Sequence, residues 1–370
     1  MLDRGPTTRP STGVSWCLDG VACARGAGDA WHLPRCTGSD RSQVEALNVT
    51  AIVTPSAGPA RSERGGEPIA GPEPIDGPGQ RPPARATRER GLVPIRVGCE
   101  FRFAAPLPVP AVVLVRARPD GGVMIERETW HVQPNASFSD LVDIYGNRPR
   151  RVVIGAGKAS LRYDADVTAS AALDEAGSGA AQHSVEDLPG ELLIYTLASR
   201  YCLSDTLSDA AVDLFGTTPL GWDRVQAVCD WVHDNVHFDY GASRPDTTSV
   251  DVFEARVGVC RDFAHLAISF CRALNIPARY VFGYLPDIEV IPAPEPMDFC
   301  AWMEVYLGGR WWTFDPRNNA RRVGRVVIAR GRDAMDVAMV TSYGKLPLEQ
   351  MTVWADEIIP AGATGGDRPR

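Results

Sequence analysis

The chain has 370 residues, of which 44% are hydrophobic and 8% are aromatic. That length and composition suffice for two ordinary domains with a hydrophobic core. Its 46 acidic residues outnumber the 38 lysines and arginines, and the formal net charge is -8. This balance argues against a nucleic-acid-binding protein, because phosphate contacts need a positive surface.

The sequence shows neither a membrane span nor an export signal. No stretch approaches the roughly 20 apolar residues that cross a bilayer, and the start, MLDRGPTTRP, lacks the apolar run of a signal peptide. We therefore expect a cytoplasmic protein that does not contact membranes. The nine cysteines are odd in number and form no CxxC pair, so we expect reduced thiols rather than a disulfide framework or a zinc ribbon.

Two regions of different composition come first along the chain. Residues 1–92 have no sustained periodicity and contain a stretch crowded with Pro, Gly and Arg, which predicts a disordered segment or one upstream of the true translation start. Residues 93–183 predict a small β-rich domain, because strand-like runs alternate with turn residues. The runs are IRVGCEFRF, AVVLVRARP, RETWHVQP, RRVVIGAG and SLRYDADVTA. Residues 361–370 predict a disordered tail.

Residues 184–360 predict a mixed domain in which helices precede strands. Apolar residues at helical spacing predict one helix from Gly221 to Val236 and a second that begins near Cys260 and ends at Asn275. The predicted strands are ARYVFGYLP, CAWMEVYL, RWWTFDP, RVVIAR and EQMTVWADEI. Gly308-Gly309, between the second and third of them, is a strong hairpin signal. The fold class expected from this order is α+β.

Cys260 is the residue best placed for chemistry. It lies in the first turn of the second predicted helix, three residues before the apolar Phe263 and therefore on the same face. A thiol at a helix N-terminus is shifted toward thiolate by the helix dipole and has amide donors for an oxyanion beside it. The alternative is that Cys260 is a small buried apolar residue.

The segments GVCRDFAHLAISFCRALNIPARYVFGYL and AWMEVYLGGRWWTFDPRNN resemble the bacterial transglutaminase-like proteins. The resemblance runs from about residue 192 to about residue 358, and the preceding β-rich region looks like the N-terminal domain of these proteins. It implies a papain-like core, with helices packed on an antiparallel sheet. It also implies that Cys260 is the nucleophile and that Asp315 orients a catalytic histidine. The position of that histidine reads Cys300 here.

The hairpin predicts where position 300 lies. A two-residue loop at Gly308-Gly309 pairs Leu307 with Arg310 and, by extension, Trp302 with Asp315. Cys300 and Asp315 are then diagonal neighbours on one face, about 7–8 Å apart. An imidazole would bridge that gap toward the nucleophile, whereas a thiol does not relay the proton in the same way, so the triad is broken.

Other histidines and aromatic residues have plainer interpretations. His265 lies about 140° around the helix from Cys260, and His233 with His237 lacks a third ligand. No metal or cofactor is therefore expected. Tryptophans 302, 311 and 312 are interpreted as core residues, with a substrate groove as the alternative, and Glu304 is expected to pair with a cation such as Arg279.

Three functions stay open. The first is a transglutaminase-like thiol hydrolase or acyl transferase on peptide or amide bonds, impaired by Cys300 in place of histidine. The second is a catalytically inactive pseudoenzyme that serves as a peptide-binding or assembly module. The third is redox chemistry, in which Cys260 and Cys300 form a disulfide. A peptide or protein substrate is expected, and the oligomeric state is not predicted.

Overall fold

The computed structural model describes residues 49–52, 91–292 and 294–359. Its strands are β1 Val49–Ile52, β2 Leu92–Ala105, β3 Val109–Val113, β4 Met124–Gln133, β5 Ser139–Asp140, β6 Arg150–Ile154, β7 Gly157–Ser170, β8 His237–Phe238, β9 Val257–Gly258, β10 Ala278–Tyr284, β11 Cys300–Leu307, β12 Arg310–Phe314, β13 Val326–Gly331, β14 Val340–Tyr343 and β15 Leu348–Glu357. Its α-helices are α1 Ser208–Phe215, α2 Trp222–Asn235, α3 Ser249–Ala255 and α4 Cys260–Ala273, and 3₁₀ turns span Val185–Asp187 and Gly190–Thr196. The predicted α+β class is confirmed.

The β-rich region consists of two antiparallel sheets. One has the strand order β1-β14-β3-β6-β5, and the other has the order β15-β2-β7-β4. Strands β2 and β7 pair along their whole length, from Leu92 opposite Ser170 to Ala105 opposite Gly157. Alternate β2 side chains are buried, as expected where one face of a sheet covers a core.

The last two strands, β14 and β15, join the sheets of this β-rich region. The prediction that the β-rich domain ends at residue 183 did not include them. Strand β15 pairs with β2, and β14 pairs with both β1 and β3. A long strand such as β2 would otherwise leave a row of unpaired backbone groups at one edge. The alternation in EQMTVWADEI predicted a strand but did not identify its partner.

The predicted disordered segment overlaps the described residues in two places. Strand β1 lies inside residues 1–92, and β2 begins at Leu92. The rest of that prediction, and the predicted tail at 361–370, lie outside the described residues.

The second half of the domain places helix α4 against an antiparallel sheet. The sheet order is β12-β11-β10-β13, and α4 packs on β10 and β11. Every residue from Arg261 to Arg272 is buried, so α4 is a central helix rather than a surface one. The hairpin has the predicted register, with Leu307 opposite Arg310 and Met303 opposite Phe314.

Arg272 shows how such a buried helix satisfies its charges. Its guanidinium donates to the carbonyl oxygens of Ala278, Leu197 and Arg332 at 2.6–3.1 Å. These bonds tie the C-terminal end of α4 to three separate segments and thereby hold the helix in place. Within the described residues, no helix is long and apolar enough to cross a membrane.

Candidate functional site

Cys260 is the first residue of α4 and is separated from the short strand β9 by Val259 alone. The turn before it is tight, since a Cβ atom at Gly258 would lie 2.7 Å from the Cβ of Asp262. The backbone N–H of Val259 donates to Asp262 Oδ2 at 3.0 Å. The Asp262 carboxylate therefore caps the helix and holds the Cys260 backbone in a defined position.

The side chain of Cys300 lies in the same cluster and on the same cleft as that of Cys260. Cys300 begins β11, and both thiols pack in a small cluster with the side chains of Val281, Leu285 and Trp302. The Cys260 side chain is partly exposed, whereas Cys300 is 5% exposed. Position 300 therefore lies in the same cluster as the candidate nucleophile.

The two thiols have opposite protonation preferences. A hydrogen bond from the Cys300 thiol lowers the pKa of Cys260 below its ordinary value, with burial opposing the shift and the charge of Arg317 adding to it. The same hydrogen bond, together with burial, raises the pKa of Cys300. As the pH rises, Cys260 therefore loses its proton before Cys300 does.

This property separates Cys260 from the other cysteines in the described part of the chain. Burial raises the pKa of each of these, which are Cys99, Cys202, Cys229 and Cys271. A buried thiol whose pKa is raised stays protonated and is inert. Cys260 is therefore the expected nucleophile among the described cysteines.

Asp315 lies just beyond the last residue of β12 and is buried. It accepts hydrogen bonds from the Asn318 backbone at 3.0 Å, from Asn318 Nδ2 at 2.8 Å and from Arg325 at 2.8 Å. Burial pushes the pKa of Asp315 up, but Arg325 and Asn318 hold it below its ordinary value. Its negative charge contributes to the raised pKa of Cys300, so the carboxylate lies within electrostatic reach of position 300.

Arg325 gives this carboxylate a structural role as well. The guanidinium is buried, bridges Asp315 to Asp174 at 2.8 Å each, and lies 4.8 Å from the ring centre of Trp302. Position 300, the ring of Trp302 and Asp315 are therefore joined by packed side chains.

A cleft of about 350 Å³ opens onto both thiols. Its walls include Asp298 and Arg317 as well as Cys260 and Cys300. Burial raises the pKa of Asp298 to about 7, although its carboxylate accepts the Phe299 N–H at 2.7 Å. The cleft therefore holds a carboxyl group that carries a proton near neutral pH.

Sequence reasoning assigned no role to Asp298 or Arg317. Asp298 lies two residues before Cys300, and Arg317 lies two residues after Asp315, so both flank predicted site residues. Their proximity to Cys260 depends on the β11 to β12 hairpin and on the loop before β11, and no local pattern shows it.

Two of the described histidines, His265 and His233, have other contacts. His265 is fully buried, stacks against Tyr201 and Tyr280, and accepts the Ala334 N–H at 3.1 Å. His233 Nδ1 lies 2.8 Å from the carbonyl oxygen of Arg317. Among the described residues there is no group of three side chains suited to a metal ion.

The predicted partner of Glu304 is present. Its carboxylate accepts hydrogen bonds from Arg279 at 2.7 Å and from Arg330 at 2.8 and 2.9 Å. Trp302, at 1% exposure, is a core residue. Trp311 and Trp312 are partly exposed and line a second cleft.

Comparisons with known proteins agree with this geometry. The family model of the Transglutaminase-like superfamily matches residues 209–316, a range that contains Cys260, Cys300 and Asp315. A solved structure from Cytophaga hutchinsonii, provisionally named a cysteine protease, is 31% identical, with a TM-score of 0.65 over 73% of this chain and 92% of that one.

Two curated relatives match a shorter region. An uncharacterized protein of Mycobacterium leprae is 34% identical over 118 residues, which are 31% of this chain and 42% of that protein. An uncharacterized protein of Mycobacterium tuberculosis is 35% identical over 116 residues, 29% of this chain and 37% of that protein. The chain thus spans less than half the length of these relatives. Together with the likeness over nearly all of the solved structure, the match of the family model shows that the chain belongs to the transglutaminase-like superfamily.

Proposed function

We propose that the chain is a thiol-dependent acyl transferase or hydrolase that acts on peptide or amide bonds without a catalytic histidine. The observation that carries this proposal is the placement of Cys260. Its thiol opens into a cleft at the N-terminus of α4 and is held toward thiolate by Cys300 and Arg317. A lowered pKa increases the fraction of molecules in which Cys260 is a thiolate, and that fraction needs no base to remove the proton before attack.

Attack on a carbonyl carbon would place negative charge on the carbonyl oxygen. The first N–H groups of a helix have no partner inside it, and those of Cys260 and Arg261 lie in the first turn of α4. Such amides are suitable donors for an oxyanion, and the positive end of the helix dipole adds to their effect.

Release of an amine then requires a proton. We assign this role to Asp298, which lines the same cleft and whose charge acts on Cys260. With a pKa of about 7, its carboxyl group is protonated in about half of the molecules at neutral pH. An acid with a pKa near the working pH is the efficient one.

Because Cys260 supplies the nucleophile and Asp298 the proton, substrates should differ in turnover rate according to their leaving group. An activated ester or thioester has a leaving group that departs without a proton, so Cys260 alone can be acylated. An amide needs Asp298 for the second half of the step. We therefore expect the ratio of ester to amide turnover to be much larger than in an enzyme with a complete Cys-His-Asp triad.

The proposal is tested with two substrates, a nitrophenyl ester and the matching peptide nitroanilide. Turnover of each is measured for the full chain and for Cys260→Ala. The acyl group should appear on the tryptic peptide of residues 257–261, which contains Cys260 and no other cysteine. Cys271→Ala, which removes a buried thiol of the same helix, is the matched control and should keep full ester activity. An ester rate that Cys260→Ala leaves unchanged would refute the proposal.

One observation favours the second candidate, a peptide-binding module without turnover. Asp315 is bonded to Arg325 and Asn318, so the carboxylate expected to orient a histidine now supports the packing around Trp302. Tight peptide binding in the cleft with no acylation by either substrate would favour this reading.

A further inference from the structure

The side chains of Cys260 and Cys300 pack in one cluster and line one cleft, an arrangement that acyl transfer does not require. Only one of them is required as a nucleophile, and the other occupies a position that is 5% exposed beside it. Their side chains share a hydrogen bond, although the residues lie on different elements and 40 positions apart. Such a pair has the arrangement of an attacking and a resolving cysteine.

We propose that Cys260 and Cys300 form a redox-active dithiol that peroxides oxidise to a disulfide and that small thiols reduce again. This inference shares the Cys260 thiolate with the proposed function but does not require acyl chemistry. The oxidant belongs to the class of hydroperoxides, with hydrogen peroxide as the simplest member.

The first step forms a sulfenic acid on Cys260. The thiolate sulfur attacks one peroxide oxygen, an S–O bond forms, the O–O bond breaks, and the leaving hydroxide takes a proton to become water. Cys260 is suited to this role because it is partly exposed and its thiolate is stabilised by Cys300 and Arg317. Susceptibility to oxidation follows thiolate character and exposure.

In the second step Cys300 attacks the sulfur of Cys260. An S–S bond forms, the S–O bond breaks, and the hydroxide leaves with the Cys300 proton as a second water. The two thiols thus supply the two electrons that reduce one peroxide to two waters. Cys300 keeps its own proton until this point, because burial and the hydrogen bond to Cys260 raise its pKa.

A disulfide requires the two sulfur atoms to come within about 2.05 Å of each other, and the side chains of Cys260 and Cys300 already pack in one cluster. Each sulfur also lies near a backbone carbonyl, with Cys260 Sγ 4.0 Å from Phe299 O and Cys300 Sγ 3.7 Å from Ala301 O. Formation of the bond removes the negative charge on Cys260 that Arg317 stabilises.

The disulfide would remove the nucleophile reversibly. It would also protect Cys260 from further oxidation to sulfinic acid, which ordinary thiols do not reverse. The site would thus act as a switch that closes the acyl chemistry under oxidising conditions and reopens it under reducing ones.

Peroxide treatment of the full chain, followed by non-reducing tryptic digestion and mass spectrometry, tests the inference. Trypsin separates Cys260, on the peptide of residues 257–261, from Cys300, on the peptide of residues 280–310. The peptide of residues 262–272 carries Cys271 and serves as an internal control. We expect one equivalent of peroxide to link the first two peptides, and dithiothreitol to release them. The Cys271 thiol should react at least about tenfold more slowly, since it is buried and protonated.

Cys300→Ser keeps a small hydrogen-bonding side chain and removes the resolving thiol. In this variant Cys260 should pass to the sulfinic acid with no linked peptide. Formation of sulfinic acid in the wild-type chain without any linked peptide would overturn the inference, as would Cys260 reacting no faster than Cys271. Ester acylation of the reduced chain separates the two proposals. Acylation without a disulfide would refute the redox inference alone, and a disulfide without acylation would refute the proposed function alone.

Discussion

Replacing Cys300 by histidine should raise amide hydrolysis by about 10²- to 10⁴-fold, the usual contribution of a positioned acid–base group. The imidazole would take the place of a thiol that already packs in one cluster with Cys260. It would lie within reach of Asp315, whose charge acts on position 300. Proton transfer to the leaving amine would then no longer depend on Asp298.

The structure sets the size of the gain and its cost. A carboxylate offers about four acceptor positions, and Asp315 fills three of them with bonds from Asn318 and Arg325. One position is left for a ring N–H of the new histidine. Because Arg325 also neutralises the carboxylate, we expect a gain nearer the lower limit. Position 300 is 5% exposed above the buried Trp302, so the larger ring should cost about 1–3 kcal/mol of stability by overpacking.

The assay is the release of nitroaniline from a peptide anilide, followed as kcat/KM. Wild type, Cys300→His and the double variant that also carries Cys260→Ala are compared, with circular dichroism to confirm folding. The gain should vanish in the double variant. A folded Cys300→His protein with no gain over wild type would refute the view that only a histidine is missing, and would favour a binding module.

Three further predictions concern neighbouring residues. Asp298→Asn should lower amide turnover by about 10- to 100-fold with little change in ester acylation. Because Asp298 loses its proton near pH 7, we expect wild-type amide turnover to fall above that pH, and this fall should be absent from the pH profile of Asp298→Asn. Glu295→Gln, on the same cleft, should keep it. Glu304→Gln should lower the free energy of unfolding by about 3 kcal/mol in urea titrations, because it removes the buried negative charge that pairs with Arg279 and Arg330 and leaves Arg330 only its bond to Asp120. A loss below about 0.5 kcal/mol, the usual effect of a surface change, would contradict this. Gly258→Ala should slow ester acylation because its Cβ would lie 2.7 Å from the Cβ of Asp262, and an unchanged rate would show that the turn before Cys260 adapts.

Protonation of Asp298 also affects stability. Its folded pKa of about 7 lies above the unfolded value of about 3.9, so the folded protein binds more protons between these limits. Stability should therefore fall as the pH rises from about 4 to about 7. The Asp298→Asn protein should lose less stability over that interval, as measured by thermal unfolding.

Local signals were sufficient for the elements that form the site. Periodicity predicted α2 and α4, and the Gly308-Gly309 turn predicted the register that places position 300 beside α4. The partners of distant segments could not be predicted in this way. Strand alternation does not reveal that β15 pairs with β2, because the pairing depends on which edge is open after the rest of the chain has folded.

The pKa shifts in the site could not be predicted from local sequence patterns, for a similar reason. The effect of Arg317 on Cys260 and the raised pKa of Asp298 depend on burial and on distances between side chains from separate loops. Residue type alone does not determine a pKa shift. The sequence therefore showed that a histidine was missing but not which groups lie around the thiol in its place.

The central claim is that Cys260 is a thiolate nucleophile maintained without histidine, and the rate at which iodoacetamide alkylates it across pH tests this most directly. The alkylated peptide of residues 257–261 reports on this thiol alone. The midpoint for wild type should lie below the value of about 8.5 for a free cysteine, and it should rise in Cys300→Ala and in Arg317→Gln, which remove the two stabilising groups. A wild-type midpoint at or above that of free cysteine, unchanged in both variants, would contradict the account.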